Sequence, residues 1–345
     1  MHSRRRASGP PVSPLFVVLF ALPILLPAAA FPGGDAVPLA TSPPREDPFV
    51  VRPFQVFDDG RWLGNAVCYG PHRDGQRPGG TEPSVAELRE DLRLMAPHWR
   101  LLRVYGASDF AGDLLPLIRD EGWRMKVMLG VWIAPDDTAA NRREIEAAVR
   151  LAAAFPEIVS AVCVGNETQV SWSGHRCAPA VLTAALREVR ARVAAPVTTA
   201  DDFSYWLLPD SRAVAAEVDF VTAHAHPLWN GRQLEEALAW LREQTAAVRA
   251  RHPDRVVVLG ETGWATSALA EGEQGALIKG RTGEAEQRQF HAEVRAWAAA
   301  ETTTVFFFEA FDENWKGGDH PDEVEKHWGL FRADRTPKSA LRPAR

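Results

Sequence analysis

Two stretches of the chain are built alike: Ile158-Val159-Ser160-Ala161-Val162-Cys163-Val164-Gly165-Asn166-Glu167 and Val256-Val257-Val258-Leu259-Gly260-Glu261-Thr262-Gly263-Trp264. Each is a nearly continuous run of β-branched and small apolar residues that meets a glycine and then a glutamate. Such runs, without polar alternation, belong to strands buried on both faces, as in a parallel sheet covered by helices. Six more runs of this type lie at residues 63–68, 101–105, 125–132, 197–200, 218–223 and 303–308. Helix-patterned stretches separate most of them, at 84–95, 138–154, 180–193, 234–250 and 284–300, with a brief one at 210–217. Ser84 and Glu87 form a capping-box pattern at the first. Eight β/α units in about 290 residues predict a single (β/α)8 TIM barrel over residues 54–345. A doubly wound open sheet is the alternative, but no glycine-rich phosphate turn follows the first strand.

Outside this rhythm the N-terminus reads differently. Arg4, Arg5 and Arg6 precede a short apolar run interrupted by prolines, and Ala28-Ala29-Ala30 follows. This pattern is expected to be a signal peptide over residues 1–30, with an uncleaved membrane anchor as the alternative. Residues 31–53 are proline-rich and read as a tether. The protein is therefore expected to be exported, periplasmic or extracellular, with no stable membrane span once the leader is removed. The net charge of −6 in 345 residues gives no footprint for a nucleic-acid partner. Cys68, Cys163 and Cys177 are too few for a disulfide scaffold, and the first two sit in strand-like runs as small buried hydrophobes. The chain is expected to act as a monomer and without a cofactor.

On a TIM barrel the chemistry belongs at the C-terminal ends of the strands. Glu167 and Glu261 both stand there, on the fourth and seventh strands, nearly opposite each other around the ring. Two convergent carboxyl groups are the machinery of glycoside hydrolysis, where one protonates the leaving oxygen and the other attacks or activates water. Arg103, Tyr105, Asn166, His226, Trp264 and Trp315 also lie at strand ends and are expected to line a sugar groove; tryptophan, twelve in all, suits stacking on sugar rings. The residues 271–280 are glycine-rich and read as a loop. His224 and His226 point to one side of a strand, an arrangement that metal-dependent hydrolases use. That alternative lacks further ligands at later strand ends, so no metal is expected; zinc required for activity would revive it. A non-catalytic glycan-binding barrel is a third reading, opposed by the intact glutamate pair.

The ordered series of strand-end motifs resembles glycoside hydrolase family 17, the β-1,3-glucanase and glucan transglycosylase family, over nearly the whole chain beyond the leader. It comprises residues 65–71 (NAVCYGP), Arg103-Val104-Tyr105, Gly165-Asn166-Glu167, Glu261-Thr262-Gly263-Trp264, residues 311–316 (FDENWK) and residues 325–331 (EKHWGLF). The resemblance implies a retaining enzyme acting on β-1,3-glucan oligo- or polysaccharide, with Glu167 as acid/base and Glu261 as nucleophile. It implies that Asn166 binds the sugar 2-hydroxyl and that Tyr69, Glu313, Lys316 and Glu325 line the donor side. Two departures stand out: Ala265 where plant members carry proline, and His224-Ala225-His226 where they carry an Asn/Tyr-type sequence. The same two glutamates serve hydrolysis and transglycosylation alike.

Overall fold

The computed structural model describes residues 49–342; the leader-like segment and most of the tether lie outside the described residues. Every one of the eight apolar runs forms a strand. These are β1 (Asn65–Cys68), β2 (Leu101–Arg103), β3 (Lys126–Val131), β4 (Val159–Asn166), β5 (Val197–Asp202), β6 (Val221–His224), β7 (Val257–Thr262) and β8 (Val305–Phe307). Each pairs in parallel with the next, and β8 pairs with β1, so the sheet closes into the predicted (β/α)8 barrel. A two-residue antiparallel hairpin, Phe57–Asp58 with Arg61–Trp62, precedes β1.

The helical layer comprises α1 (Val85–Met95), α2 (Ala111–Asp120), α3 (Thr138–Ala154) and α4 (Pro179–Arg192), followed by the short α5 (Phe203–Leu207) and α6 (Ser211–Ala215). Then come α7 (Leu234–Arg251), α8 (Gly272–Leu277) and α9 (Glu284–Glu301). Ser84 and Glu87 do form the capping box on α1. The expected 271–280 loop contains α8, fixed by the buried Gln274, whose Oε1 accepts N–H bonds from Leu269 (3.2 Å) and Val324 (3.0 Å).

Strand alternation sorts the core into two parts. Ala66, Cys68, Met128, Cys163, Ala200 and Phe306 fill the barrel interior, whereas Val67, Val164, Val197 and Leu259 face the helices. Each large side chain so buried stabilises the fold by about 1.5–3 kcal/mol. All three cysteines are free and buried. Phe54 stacks on Phe220 with ring centroids 4.5 Å apart, in the same interior cluster. Just before it, the end of the expected tether is docked. The Arg52 N–H and Nε donate to the Asp219 carboxylate at 2.8 and 3.0 Å, and the Arg190 guanidinium lies 3.8 Å from the Phe49 ring centroid.

Candidate active site

Alternation alone would point Asn166 and Glu261 away from the barrel mouth, because Val164 and Leu259, two residues before them, face the helices. Both strands carry one extra residue that reverses this. In β4 the register shifts between Cys163 and Asn166, across Gly165 with its left-handed φ of +78°. In β7 it shifts between Leu259 and Glu261, across Gly260. A β-bulge of this kind re-aims the following side chain. Gly260 has no room for more than a hydrogen: a Cβ there would stand 2.3 Å from Thr222 Cγ2. The glycine in each quoted motif is thus what turns the strand end into the mouth. Arg103, His224 and His226 reach it by undisturbed alternation.

Glu261 is gripped from several sides. Its Oε1 accepts from Arg103 Nη1 at 2.5 Å and from the Tyr105 hydroxyl at 2.9 Å, and its Oε2 accepts from His226 Nε2 at 3.4 Å. Arg103, 1 % exposed, spends its other terminal nitrogen on Asn166 Oδ1 at 2.6 Å. His224 Nε2 donates to the same oxygen at 3.1 Å. Both bonds fall on the amide oxygen, which leaves Asn166 Nδ2 as a donor for substrate. Burial pushes the Glu261 carboxyl up, yet the His226 hydrogen bond and the Arg103 guanidinium outweigh it and hold the group well below the usual carboxylate range. Burial drives His224 itself down to about 3, so it is neutral at physiological pH and Arg103 is the lasting cation beside Glu261.

Glu167, the residue after β4, has the opposite surroundings. Burial raises its pKa well above the usual carboxylate range, and the charges of Glu261, Asp201, Asp202 and Glu325 raise it further. Its carboxyl has no ion pair among the described residues. One carboxyl is therefore kept protonated and the other ionised, the division that acid and nucleophile require.

Beyond β8 a second cluster forms. Lys316 Nζ lies 2.6 Å from Glu309 Oε2 and 2.7 Å from Glu313 Oε2, and Trp315 Nε1 donates to Glu313 Oε1 at 2.9 Å. Burial raises Glu309, whereas Lys316 and His72 overcome burial at Glu313 and hold it low. Asn314 and Trp315 also line a cleft of about 590 Å³ shared with Gln76, Arg77 and Thr81 of the β1–α1 loop. Glu325 lies on a 3₁₀ turn, accepts from Trp229 Nε1 at 3.2 Å, and is pushed by burial to about 7.

Two expected groove residues are placed elsewhere. Tyr69 follows Val67 in alternation, so its ring enters the layer between barrel and helices, and its hydroxyl donates to Asp91 on α1 at 3.1 Å. Trp264, 1 % exposed, lies against Phe290 of α9 and donates to the Arg281 carbonyl at 2.9 Å. Neither presents ring surface to a sugar. Glu309, unnoticed as a site residue, carries the same signature as the two quoted motifs, an apolar strand that ends in glutamate. No group of three His, Cys, Asp or Glu among the described residues is placed to hold a metal ion, and no described helix is long and apolar enough to cross a membrane.

An eight-stranded barrel whose mouth gathers buried carboxyls of contrasting charge state has the layout of a glycoside hydrolase. The chain belongs to the BtgE/BtgC glycoside hydrolase family, whose domain matches residues 66–329. The glucan 1,3-beta-glucosidase of Arthroderma benhamiae is 30% identical over 279 residues, which cover 76% of this chain and 86% of that protein. The Schizosaccharomyces pombe glucan 1,3-beta-glucosidase is 29% identical over 295 residues, covering 80% and 85%. Among solved structures, an endo-laminarinase from Formosa Hel1_33_131 aligns with a TM-score of 0.72 at 27% identity over 81% of this chain and 86% of that one. The glycoside hydrolase family 17 β-1,3-glucanosyltransferase of Rhizomucor miehei shares the fold with a TM-score of 0.67 at 23% identity, covering 81% and 97%. The resemblance to family 17 therefore holds.

Proposed function

We propose that the chain is a retaining glycosidase acting on β-1,3-glucan, with Glu167 as acid/base and Glu261 as nucleophile. The observation that carries this reading is the contrast between two strand-end carboxyls, one without a cation and crowded by other carboxylates, the other held by Arg103. The names of the relatives, glucan 1,3-beta-glucosidase and endo-laminarinase, support β-1,3-glucan as the substrate. The leader-like segment supports action outside the cytoplasm, where a glucan polymer would be met.

Glu167 gives its proton to the glycosidic oxygen as the bond to C1 breaks. Glu261 attacks C1 from the opposite face and forms an α-linked glycosyl-enzyme. Tyr105 and Arg103 occupy Oε1, so the attacking oxygen is Oε2, whose one bond, from His226, is the longest of the set. Asn166 Nδ2 donates to the 2-hydroxyl, and Trp315, Glu313, Lys316 and Glu325 form the donor end of the groove. Glu167, now ionised, takes the proton of the incoming hydroxyl, and the glycosyl-enzyme is released with the β configuration restored.

Laminari-oligosaccharides test the reading. The first product anomer seen by NMR should be β, with chains shorter than the substrate under hydrolysis and longer ones if a sugar hydroxyl resolves the intermediate. An α anomer appearing first, or no turnover of any β-1,3-glucan, would overturn it.

A further inference from the structure

The turn that carries Glu167 is underpinned by a carboxylate with no part in the steps above. In β5, Val197 faces the helices and Ala200 the interior, so alternation sends Asp202 toward the mouth and Asp201 away from it. Asp201 is 1 % exposed, and no Lys, Arg or His among the described residues pairs with it. Its partners are backbone groups. Oδ2 accepts the Gln169 N–H at 2.8 Å and Oδ1 accepts the Asp202 N–H at 3.0 Å, with Val170 N–H directed at the same carboxylate. The Glu167 N–H donates to the carbonyl of Ala200 at 2.9 Å. Two successive residues of β5 therefore hold two alternate residues of the turn. Between these two points of attachment Glu167 has a φ of +49°, a left-handed conformation that non-glycine residues rarely adopt. A buried carboxylate without a cation is a costly way to add stability alone. It is well suited to fixing several N–H groups at once.

We infer that Asp201 is a positioning residue for the acid/base, holding the Glu167 turn in its left-handed conformation. The inference rests on Glu167 being the acid/base. The charged groups that act most on Glu167 are Glu261 on β7, Asp201 and Asp202 on β5, and Glu325 on the 3₁₀ turn, with Arg103 and His226 also at the mouth. Around Asp201 itself stand Asp202, the Tyr205 hydroxyl and the Cys177 thiol. Burial pushes Asp201 up to about 8, with its backbone donors acting in the opposite direction.

The test compares two substrates in Asp201→Ala, Asp201→Asn and, as reference, Glu167→Ala. Laminaripentaose has a leaving group that needs the proton; 2,4-dinitrophenyl β-laminaribioside has one that departs as an anion. Asp201→Ala should lose about 100-fold in kcat/KM on the pentaose and less than about threefold on the aryl glycoside, because a displaced acid costs only where protonation is required. Asp201→Asn, which keeps an acceptor for one N–H and the local volume, should show the same split at about tenfold and carries the test if the alanine variant does not fold. Equal losses on the two substrates, or no loss on either, would overturn the inference. If Glu167→Ala itself shows no split while hydrolysis persists, the acid/base assignment falls and the positioning role with it.

Discussion

Replacing Arg103 with methionine keeps the length of the side chain and removes the lasting cation beside Glu261. At an effective dielectric of about 20, unit charges about 4 Å apart attract by about 4 kcal/mol. Both groups are buried, 1 % and 5 % exposed, so solvent screens little of this. The bonds from Tyr105 and His226 survive the substitution and retain part of the stabilisation of the anion. The expected loss is thus about 2–4 kcal/mol of the preference for the ionised carboxyl, so that on the acid side of the pH profile kcat/KM falls by about 30- to 1,000-fold. An activated aryl β-glucoside isolates the nucleophilic step, because its departure needs no acid. The pH profile supplies a second reading. Glu261 acts as the anion; without Arg103, burial is less opposed, its carboxyl takes up a proton at higher pH, and the acid limb moves upward. A kcat/KM within about threefold of the parent, with the acid limb unmoved, would refute the role given to Arg103.

Dialysis against a chelator should leave kcat/KM unchanged; activity lost to the chelator and restored by zinc would contradict the two-carboxylate mechanism. Arg335 donates Nε and Nη2 to the two oxygens of the buried Asp91, both at 2.9 Å, and Nη2 to the Pro71 carbonyl at 2.7 Å. Arg335→Met should therefore cost about 3 kcal/mol of stability in urea unfolding without changing KM, with Arg73 and Tyr69 limiting the loss; a change below about 0.5 kcal/mol would show the ion pair to be redundant. Glu167→Gln should abolish the alkaline limb seen with laminari-oligosaccharides in the parent, because the raised Glu167 carboxyl acts protonated and that limb is its loss of the proton. A limb that persists unchanged in the variant belongs to another group.

The barrel was legible because its signal is repetitive: eight apolar runs, each wide enough to be buried on two faces, leave few ways to close a sheet. The placement of Glu167 and Glu261 as buried carboxyls at strand ends was legible because a carboxylate directly after such a run has no solvated helix face to occupy. The same logic would have reached Glu309, which follows the apolar β8. What alternation governs could also have been read: counting in twos from Val67 sends Tyr69 to the helices, where it meets Asp91. The same count misplaces Asn166 and Glu261, since a one-residue bulge in each strand reverses their direction. Gly165 and Gly260 mark those bulges, but a glycine in a strand also marks close approach without a bulge. Trp264 was misread because a tryptophan beside a catalytic-type motif suits a sugar platform and a helix contact equally well, and only its neighbour Phe290 decides between them. Asp201 and Asp202, adjacent in sequence, have different surroundings for the reason that adjacent strand residues always do.

The assignment of the two glutamates is tested most directly by the anomer of the azide product each variant makes from an activated aryl β-glucoside. Glu167→Ala should still form the glycosyl-enzyme on Glu261, and azide entering the space left by Glu167 should give a β-glycosyl azide. Glu261→Gly has no nucleophile, and azide in that cavity should give an α-glycosyl azide with no covalent intermediate accumulating. Both anomers are expected as stated. Interchanged anomers would reverse the roles, and full activity of either variant on unactivated glucan would place the catalytic pair elsewhere.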